Sequence, residues 1–275
     1  QGRLPARPAA QRIGAAMSCA GRILLLLLAG IFAATAPAEA QRRGNRAANA
    51  SLSFSETIRV PGKPELDVTL SRASGPSDVV LFLFMGCLTN SPHQIAFFSD
   101  VARRANRAGI HAVAWNSAQA RGQEDHCQGR VSRDERASDA ERVRKHLLAQ
   151  GLGVTFAAIG ESQGADVLVK LSAYRGWRSF IALMPHCDKF TPGDKARMIA
   201  FAGDKDASAP GAACARWKAE VHRGADAYHG WMYPGHTGGT VHTSGFGDSA
   251  PRLYNEDLAK RLSDRIDKWF VELKR

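Results

Sequence analysis

The sequence predicts an α/β fold, a doubly wound and mostly parallel sheet with helices on both faces in a single domain, and three observations carry that prediction. Val79 to Phe84 (VVLFLF) is a continuous apolar run, as a strand buried on both faces requires. Further apolar runs of strand length then alternate with stretches of helical period, joined by short connections. No internal repeat, low-complexity tract or composition break divides the 275 residues, of which 44% are hydrophobic and 23% charged.

Ahead of that region the chain reads as processing signals. Residues 22 to 40 (RILLLLLAGIFAATAPAEA) have a cationic start, an apolar run from Ile23 to Ala34 and a small-residue ending, Ala38-Glu39-Ala40. This predicts a secretory signal cleaved after Ala40, because the run is shorter than the ~20 residues a membrane span needs. Met17 opens the signal naturally, so residues 1 to 16 read as an upstream extension, and Cys19 precedes the apolar run, where lipid attachment is badly served. Residues 41 to 51 are a polar, flexible lead, and residues 52 to 275 form the expected catalytic domain. A periplasmic or secreted protein with no stable membrane anchor follows.

The elements follow in order. Ser53 to Val60 and Leu66 to Ser71 alternate around Pro61-Gly62-Lys63-Pro64 and read as an antiparallel pair at a sheet edge. After the Val79 strand, Gln94 to Ala108 has helical period, and Gly109 ends it before a short strand at His111 to Trp115. Arg133 to Gln150 is a second helix, closed by Gly151, and Val154 to Ile159 a further apolar strand. Ser162 to Tyr174 reads as helix, Phe180 to Met184 and Met198 to Ala202 as strands, Glu220 to Arg223 as a short strand, and Asn255 to Leu273 as a long amphipathic helix. Between the last two lies a Gly- and Thr-rich loop, Gly235 to Gly247, that could cover a site. In such folds ligands sit beyond the carboxyl ends of the strands.

Charge narrows the function classes. The chain carries +11, and beyond residue 40 there are 33 basic and 25 acidic residues. The basic residues are dispersed (Arg103, Arg104, Arg107; Arg142, Arg144, Lys145; Lys260, Arg261) without interleaved aromatics, which argues for solvated helix faces and against nucleic acid. Four cysteines follow the signal, Cys87, Cys127, Cys187 and Cys214, an even number without zinc-type spacing, so two disulfides are expected with three pairings open. His186, Cys187 and Asp188, or His222, His229, His236 and His242, lack the spacing of a metal site, and no metal or other cofactor is expected.

The chemistry concentrates at Gly160-Glu161-Ser162-Gln163-Gly164. It follows an apolar strand and opens a helix, the setting of a GxSxG turn that pushes a nucleophilic serine out at the top of the sheet. An ordinary glycine-bounded helix start with Ser162 as N-cap would read similarly. A serine needs a base and an orienting acid, in chain order Ser, Asp or Glu, then His. Asp206 and Asp204, in FAGDKDASAP directly after a strand, are the acid candidates, and Gly203-Asp204-Lys205-Asp206 favours Asp206. His229, in AYHGW after the last short strand, is the candidate base, with His236 and His242 as alternatives.

From about Val79 onward the chain resembles the dienelactone hydrolase family of α/β hydrolases, particularly its exported members. Met85-Gly86-Cys87 after the strand, Arg121-Gly122 with Cys127, GESQG, GDKDASAP with Cys214, and AYHGW carry the likeness. It implies an α/β-hydrolase fold with Ser162 as nucleophile, Asp206 as acid and His229 as base, and disulfides pairing Cys87 with Cys127 and Cys187 with Cys214. Two departures stand out: dienelactone hydrolase uses a cysteine nucleophile where this chain has Ser162, and the usual His-Gly after the third strand is Met85-Gly86.

The expected activity is therefore an exported serine esterase acting on a small ester or lactone through an acyl-enzyme on Ser162. Backbone N–H groups of Gln163 and of Cys87 or Leu88 would hold the oxyanion. Arg121 could meet a substrate carboxylate or pair with Glu124 or Asp125, and Trp231, with Trp115 and Tyr233, could line a pocket or simply pack. The contrasting expectation is a non-catalytic protein that keeps the fold and binds a ligand or envelope component.

Overall fold

The computed structural model describes residues 55–87, 91–123, 125–126, 131–242 and 249–275. The segments read as signal and lead, with Leu88, Glu124 and Cys127, lie outside the described residues.

Strands β1 (Ser55–Val60) and β2 (Leu66–Ser71) form the predicted antiparallel edge pair. β3 (Val79–Phe84) precedes helix α1 (Pro92–Arg107), β4 (His111–Trp115) and α2 (Arg133–Ala149). β5 (Thr155–Glu161), α3 (Gln163–Leu171), β6 (Ser179–Leu183), β7 (Arg197–Gly203), β8 (Glu220–Gly224), β9 (Thr237–His242), β10 (Ser249–Leu253) and α4 (Glu256–Leu273) complete the order. Eight strands make one sheet in the order β1-β2-β4-β3-β5-β6-β7-β8; β2 meets β4 antiparallel, and all pairs from β4 to β8 are parallel.

Period-2 alternation within wholly buried strands explains the two covered faces. Phe82, Phe84, Phe156 and Ala158 point into one core with Val143 and Leu147 of α2 and Val167 and Leu168 of α3. Leu81, Leu83, Ile159, Ile181 and Phe201 point into the other, with Phe98 and Val101 of α1 and Leu258, Ile266 and Trp269 of α4. Each large apolar side chain so buried contributes about 1.5–3 kcal/mol. Helix starts follow their caps: the Ser132 hydroxyl accepts from Glu135 N–H while the Glu135 carboxylate accepts from Ser132 N–H, and the Asn255 side chain accepts from Leu258 N–H.

Two expectations are corrected. The Gly- and Thr-rich segment is not simply a loop: Thr237–His242 and Ser249–Leu253 pair as an antiparallel two-stranded sheet, with Thr240 opposite Pro251. β-branched Thr and Val suit an extended chain, and the glycines between them masked that preference. The helix after Ser162 ends at Leu171 rather than Tyr174, because the Ser172 hydroxyl donates back to the Val169 carbonyl and accepts from Gly193 N–H, tying the chain to the next loop.

β3 lies between β4 and β5 in the sheet although the chain visits it before either, so the strand order reverses beside β3. The crevice beyond the carboxyl ends of β3 and β5 is the place this topology reserves for a ligand. Met85-Gly86-Cys87 and Ser162 both emerge there.

Candidate active site

Ser162 sits between β5 and α3 with φ 53° and ψ −121°, a conformation that costs a non-glycine residue about 1–3 kcal/mol. Two glycines make the turn possible. A Cβ on Gly160 would lie 2.6 Å from the Gly164 carbonyl oxygen, and one on Gly164 would overlap the Phe84 carbonyl oxygen at the end of β3. Gly164→Ala should therefore force β3 and α3 apart and cost roughly 3 kcal/mol or more. A drop in thermal midpoint of several degrees checks this, and a midpoint equal to that of the parent would refute the close approach.

A capping serine would bond the second or third amide of its helix; Ser162 makes no side-chain cap bond among the described residues, and only its carbonyl joins the helix, accepting from Asp166 N–H at 3.1 Å. Its own N–H donates to the Leu183 carbonyl at 2.8 Å, against the end of β6. The next residue, Met184, also has positive φ, 52°, and its Sδ accepts from Gly230 N–H at 2.8 Å. The serine turn and the loop that carries His229 therefore meet through Leu183 and Met184.

His229 and Asp206 are brought together. His229 Nδ1 lies 2.7 Å from Asp206 Oδ2, and the two residues are 8% and 1% exposed. Asp206 Oδ1 accepts from Ser208 N–H, the Ser208 hydroxyl and Ala209 N–H, each at 3.0 Å. Burial pushes the Asp206 carboxyl up, but the facing His229 and these donors outweigh it, and its pKa ends below the ordinary aspartate value of 3.8. Stability from that carboxylate is thus present above about pH 4 and is lost only as pH falls through the lowered value. The rival acid, Asp204, faces away: both its oxygens accept from Arg223, at 2.7 and 2.8 Å.

The other predicted residues fall into several groups. Gln163 follows the serine, and its side chain accepts from Arg136 Nη1 and donates to the His126 carbonyl, both at 2.8 Å. Cys87 is disulfide-bonded and closes the described part of its loop; its expected partner Cys127 and the second amide candidate Leu88 lie outside the described residues. Cys187 and Cys214 are joined by a disulfide, as the resemblance implied, tying the loop after β6 to the short 3-10 helix Gly211–Arg216 behind the Asp206 loop.

Arg121 pairs with Asp139 through Nη1 at 2.7 Å and Nη2 at 3.2 Å, and with Glu135 at 3.4 Å, both acids of α2. Trp231 has no exposed surface and packs near Phe201; its place is in the core, as the large ring area favours. His236 Nδ1 lies 3.0 Å from the Gly230 carbonyl, bracing the loop that carries His229, while the His242 side chain lies outside the described residues. His222 bonds Glu220, and His186 bonds Asp166, at 2.8 and 2.6 Å. With Cys187 in a disulfide, the His186-Cys187-Asp188 string offers no thiolate to a metal.

Sequence reasoning missed a set of buried polar residues around this site: Gln94, His126, Arg136, Glu161, and the Asp166–His186 pair. The available signal was polarity on an apolar face. Arg136, Ala140, Val143 and Leu147 share one buried stripe of α2, with a charge at its first position. His126 is 2% exposed and its Nε2 accepts from Ala118 N–H at 3.1 Å; burial, then Arg136, holds its pKa down to about 3. The unfolded chain takes up a proton below about 6.5 that the folded one refuses, so stability falls as pH drops between those values. Acidifying from pH 7 to 4.5 should cost about 2–3 kcal/mol through this group, a loss His126→Gln would remove. Urea unfolding at both pH values is the check, and equal acid sensitivity in parent and variant would refute it.

No family model matches the chain, and no curated protein matches it in sequence. Solved structures do. The chain is similar to a candidate dienelactone hydrolase from Klebsiella pneumoniae subsp. pneumoniae MGH 78578, with TM-score 0.59, 17% identity, and 79% of this chain and 98% of that one covered. It is also similar to a dienelactone hydrolase-like promiscuous phosphotriesterase from metagenomic libraries, with TM-score 0.55, 17% identity and coverage of 80% and 98%. A lidless α/β serine hydrolase from Xanthomonas campestris matches with TM-score 0.50, 20% identity and coverage of 64% and 86%. Together with the eight-stranded, mostly parallel sheet and the strained turn after β5, these likenesses establish that the chain has the α/β-hydrolase fold.

Proposed function

We propose that the protein is a serine hydrolase of the dienelactone hydrolase family, cleaving a small ester or lactone through an acyl-enzyme on Ser162. The observation that carries this reading is the buried Asp206–His229 pair, set on loops beyond β7 and β8 of the sheet whose β5 ends at the strained Ser162 turn. With Nδ1–H held by Asp206, the imidazole has its lone pair at Nε2, the tautomer a general base needs.

In the proposed reaction His229 Nε2 takes the Ser162 proton as Oγ bonds to the carbonyl carbon. The carbonyl electron pair moves onto oxygen, held by N–H groups of Gln163 and of Cys87 or Leu88. The imidazolium then gives its proton to the alkoxide oxygen as the ester C–O bond breaks; in a lactone the alcohol stays tethered to the acyl group. Water, losing a proton to His229, adds to the acyl carbon, and Ser162 departs with that proton as the carboxylic acid forms. Asp206 keeps the imidazole oriented and stabilises its cation throughout.

An exported location completes the proposal, supported by the signal-like run before residue 41 and by the Cys187–Cys214 disulfide, a bond that persists in oxidising compartments. Among the described residues no helix is long and apolar enough to cross a membrane.

The test is fluorophosphonate labelling of the protein from residue 41 onward, with peptide mapping of the adduct. An adduct on Ser162 that disappears in His229→Ala is expected, because only an activated serine reacts. No adduct under native conditions would overturn the hydrolase reading in favour of a ligand-binding protein on the same fold.

A further inference from the structure

Outside the proposed triad, two buried charged side chains converge on the loop that follows β3. Glu161, the residue before the proposed nucleophile, and Arg136 of α2 are each only 3% exposed. Glu161 Oε2 accepts from Gly86 N–H at 3.2 Å and from Gln94 Nε2 at 2.6 Å. Arg136 Nη2 donates to the Met85 carbonyl at 2.7 Å, and its Nη1 reaches Gln163. Gln163 in turn donates to the His126 carbonyl, and His126 N–H donates to the Cys87 carbonyl at 3.2 Å. Three consecutive residues thus have backbone groups tied to the element that carries Ser162, to the helix beside it, or to the loop linked through Gln163.

Burying a carboxylate and a guanidinium is expensive, and apolar side chains of similar volume usually serve stability as well or better. Orientation is what apolar side chains cannot supply. Gly86 has no Cβ, and one placed there would lie 2.8 Å from Glu161 Oε2, so the glycine admits the carboxylate but also leaves a backbone able to rotate its peptide planes. Rotation would turn carbonyls toward the crevice and amides away from it. The Met85 carbonyl and the Gly86 N–H are the two ends of one planar peptide group, and Arg136 and Glu161 hold one end each, so that group cannot rotate without losing both bonds. The Cys87 carbonyl is held separately by His126 N–H. The oxyanion donor of this loop then falls beyond Gly86, where Cys87 or Leu88 was expected.

We infer that Glu161 and Arg136 are positioning residues that clamp the Met85–Gly86 peptide group from its two ends, so that the loop beyond it presents an amide to the developing oxyanion. The inference rests on the serine hydrolase reading. Gln94 supports it from α1 by a second bond to the same carboxylate oxygen. Neither charged group touches the reacting atoms; both act through the backbone they hold.

The test compares the parent with Glu161→Ala, Glu161→Gln and Arg136→Met in hydrolysis of p-nitrophenyl acetate, each rate divided by active sites counted in an end-point fluorophosphonate titration. Glu161→Ala should lower kcat about tenfold to a hundredfold with KM within about threefold, since a misdirected oxyanion donor acts on the transition state. Glu161→Gln, which keeps an oxygen for Gly86, should recover most of that loss. Binding of an aryl trifluoromethyl ketone, which forms a tetrahedral oxyanion adduct on the serine, should weaken in proportion to kcat/KM. If Glu161→Ala does not fold, Arg136→Met carries the same comparison. Variants with fewer active sites but parental kcat and ketone affinity per site would overturn the positioning role alone. A parent that takes no label at Ser162 would overturn the hydrolase reading and this inference with it.

Discussion

Ser162→Ala should reduce hydrolysis of an activated ester by about 10⁵–10⁶-fold in kcat while leaving the fold intact. The hydroxyl is the group that would form the acyl-enzyme, and nothing else at the turn after β5 can replace its oxygen. Ser162 is only partly buried and makes no side-chain cap bond among the described residues, so removing Oγ leaves no cavity and no orphaned helix amide. Alanine meets the same positive φ as serine, and the thermal midpoint should stay within a few degrees. A residue of activity above the uncatalysed rate is expected from substrate binding and oxyanion donors alone. A purified Ala variant that hydrolysed the ester at the parental rate would show that the chemistry lies elsewhere.

Asp206→Asn should lower kcat by about 10⁴-fold, and hydrogen bonding specifies why. Asp206 Oδ1 takes three donors, from Ser208 N–H, the Ser208 hydroxyl and Ala209 N–H. In the Asn variant the carbonyl oxygen must stay on that side, because an NH₂ group there would face two backbone N–H groups. The NH₂ is then directed at His229 Nδ1, 2.7 Å away in the parent. Nδ1 must accept, its proton moves to Nε2, and the imidazole loses the lone pair that takes the serine proton. KM should change little, since the carboxylate is wholly buried behind the imidazole. Asp204→Asn is the matched control: its partner is Arg223, exposed on β8, and kcat should stay within about twofold. Equal losses from both substitutions would refute the assignment of Asp206.

Legibility of the fold followed from how strongly local pattern constrains it. VVLFLF is apolar at both parities, so it had to be a strand covered on both faces, and helices had to follow to cover it. Gly160 and Gly164 bracketed a serine at a strand-to-helix junction, and the structure gives each of them a backbone atom that leaves no room for a Cβ. By contrast β9 and β10 were invisible because their stability comes from pairing with each other, a contact that strand periodicity in a glycine-rich stretch does not announce.

What the sequence by itself determined was the layered architecture, the turn that presents Ser162, and the short set of acids and histidines that could serve it. Those features are local: they depend on periodicity, on glycine, and on the order of residues along the chain. Only the tertiary structure decided that Asp206 faces His229 while Asp204 faces Arg223, that Arg121 belongs to Asp139, and that Trp231 is core. It alone brought Glu161 and Arg136 onto the Met85–Gly86 peptide group from 75 and 51 residues away in the chain. The physical reason is that a charge or hydrogen-bond partner is chosen by distance in space and by burial, and neither is encoded in spacing along one strand or helix.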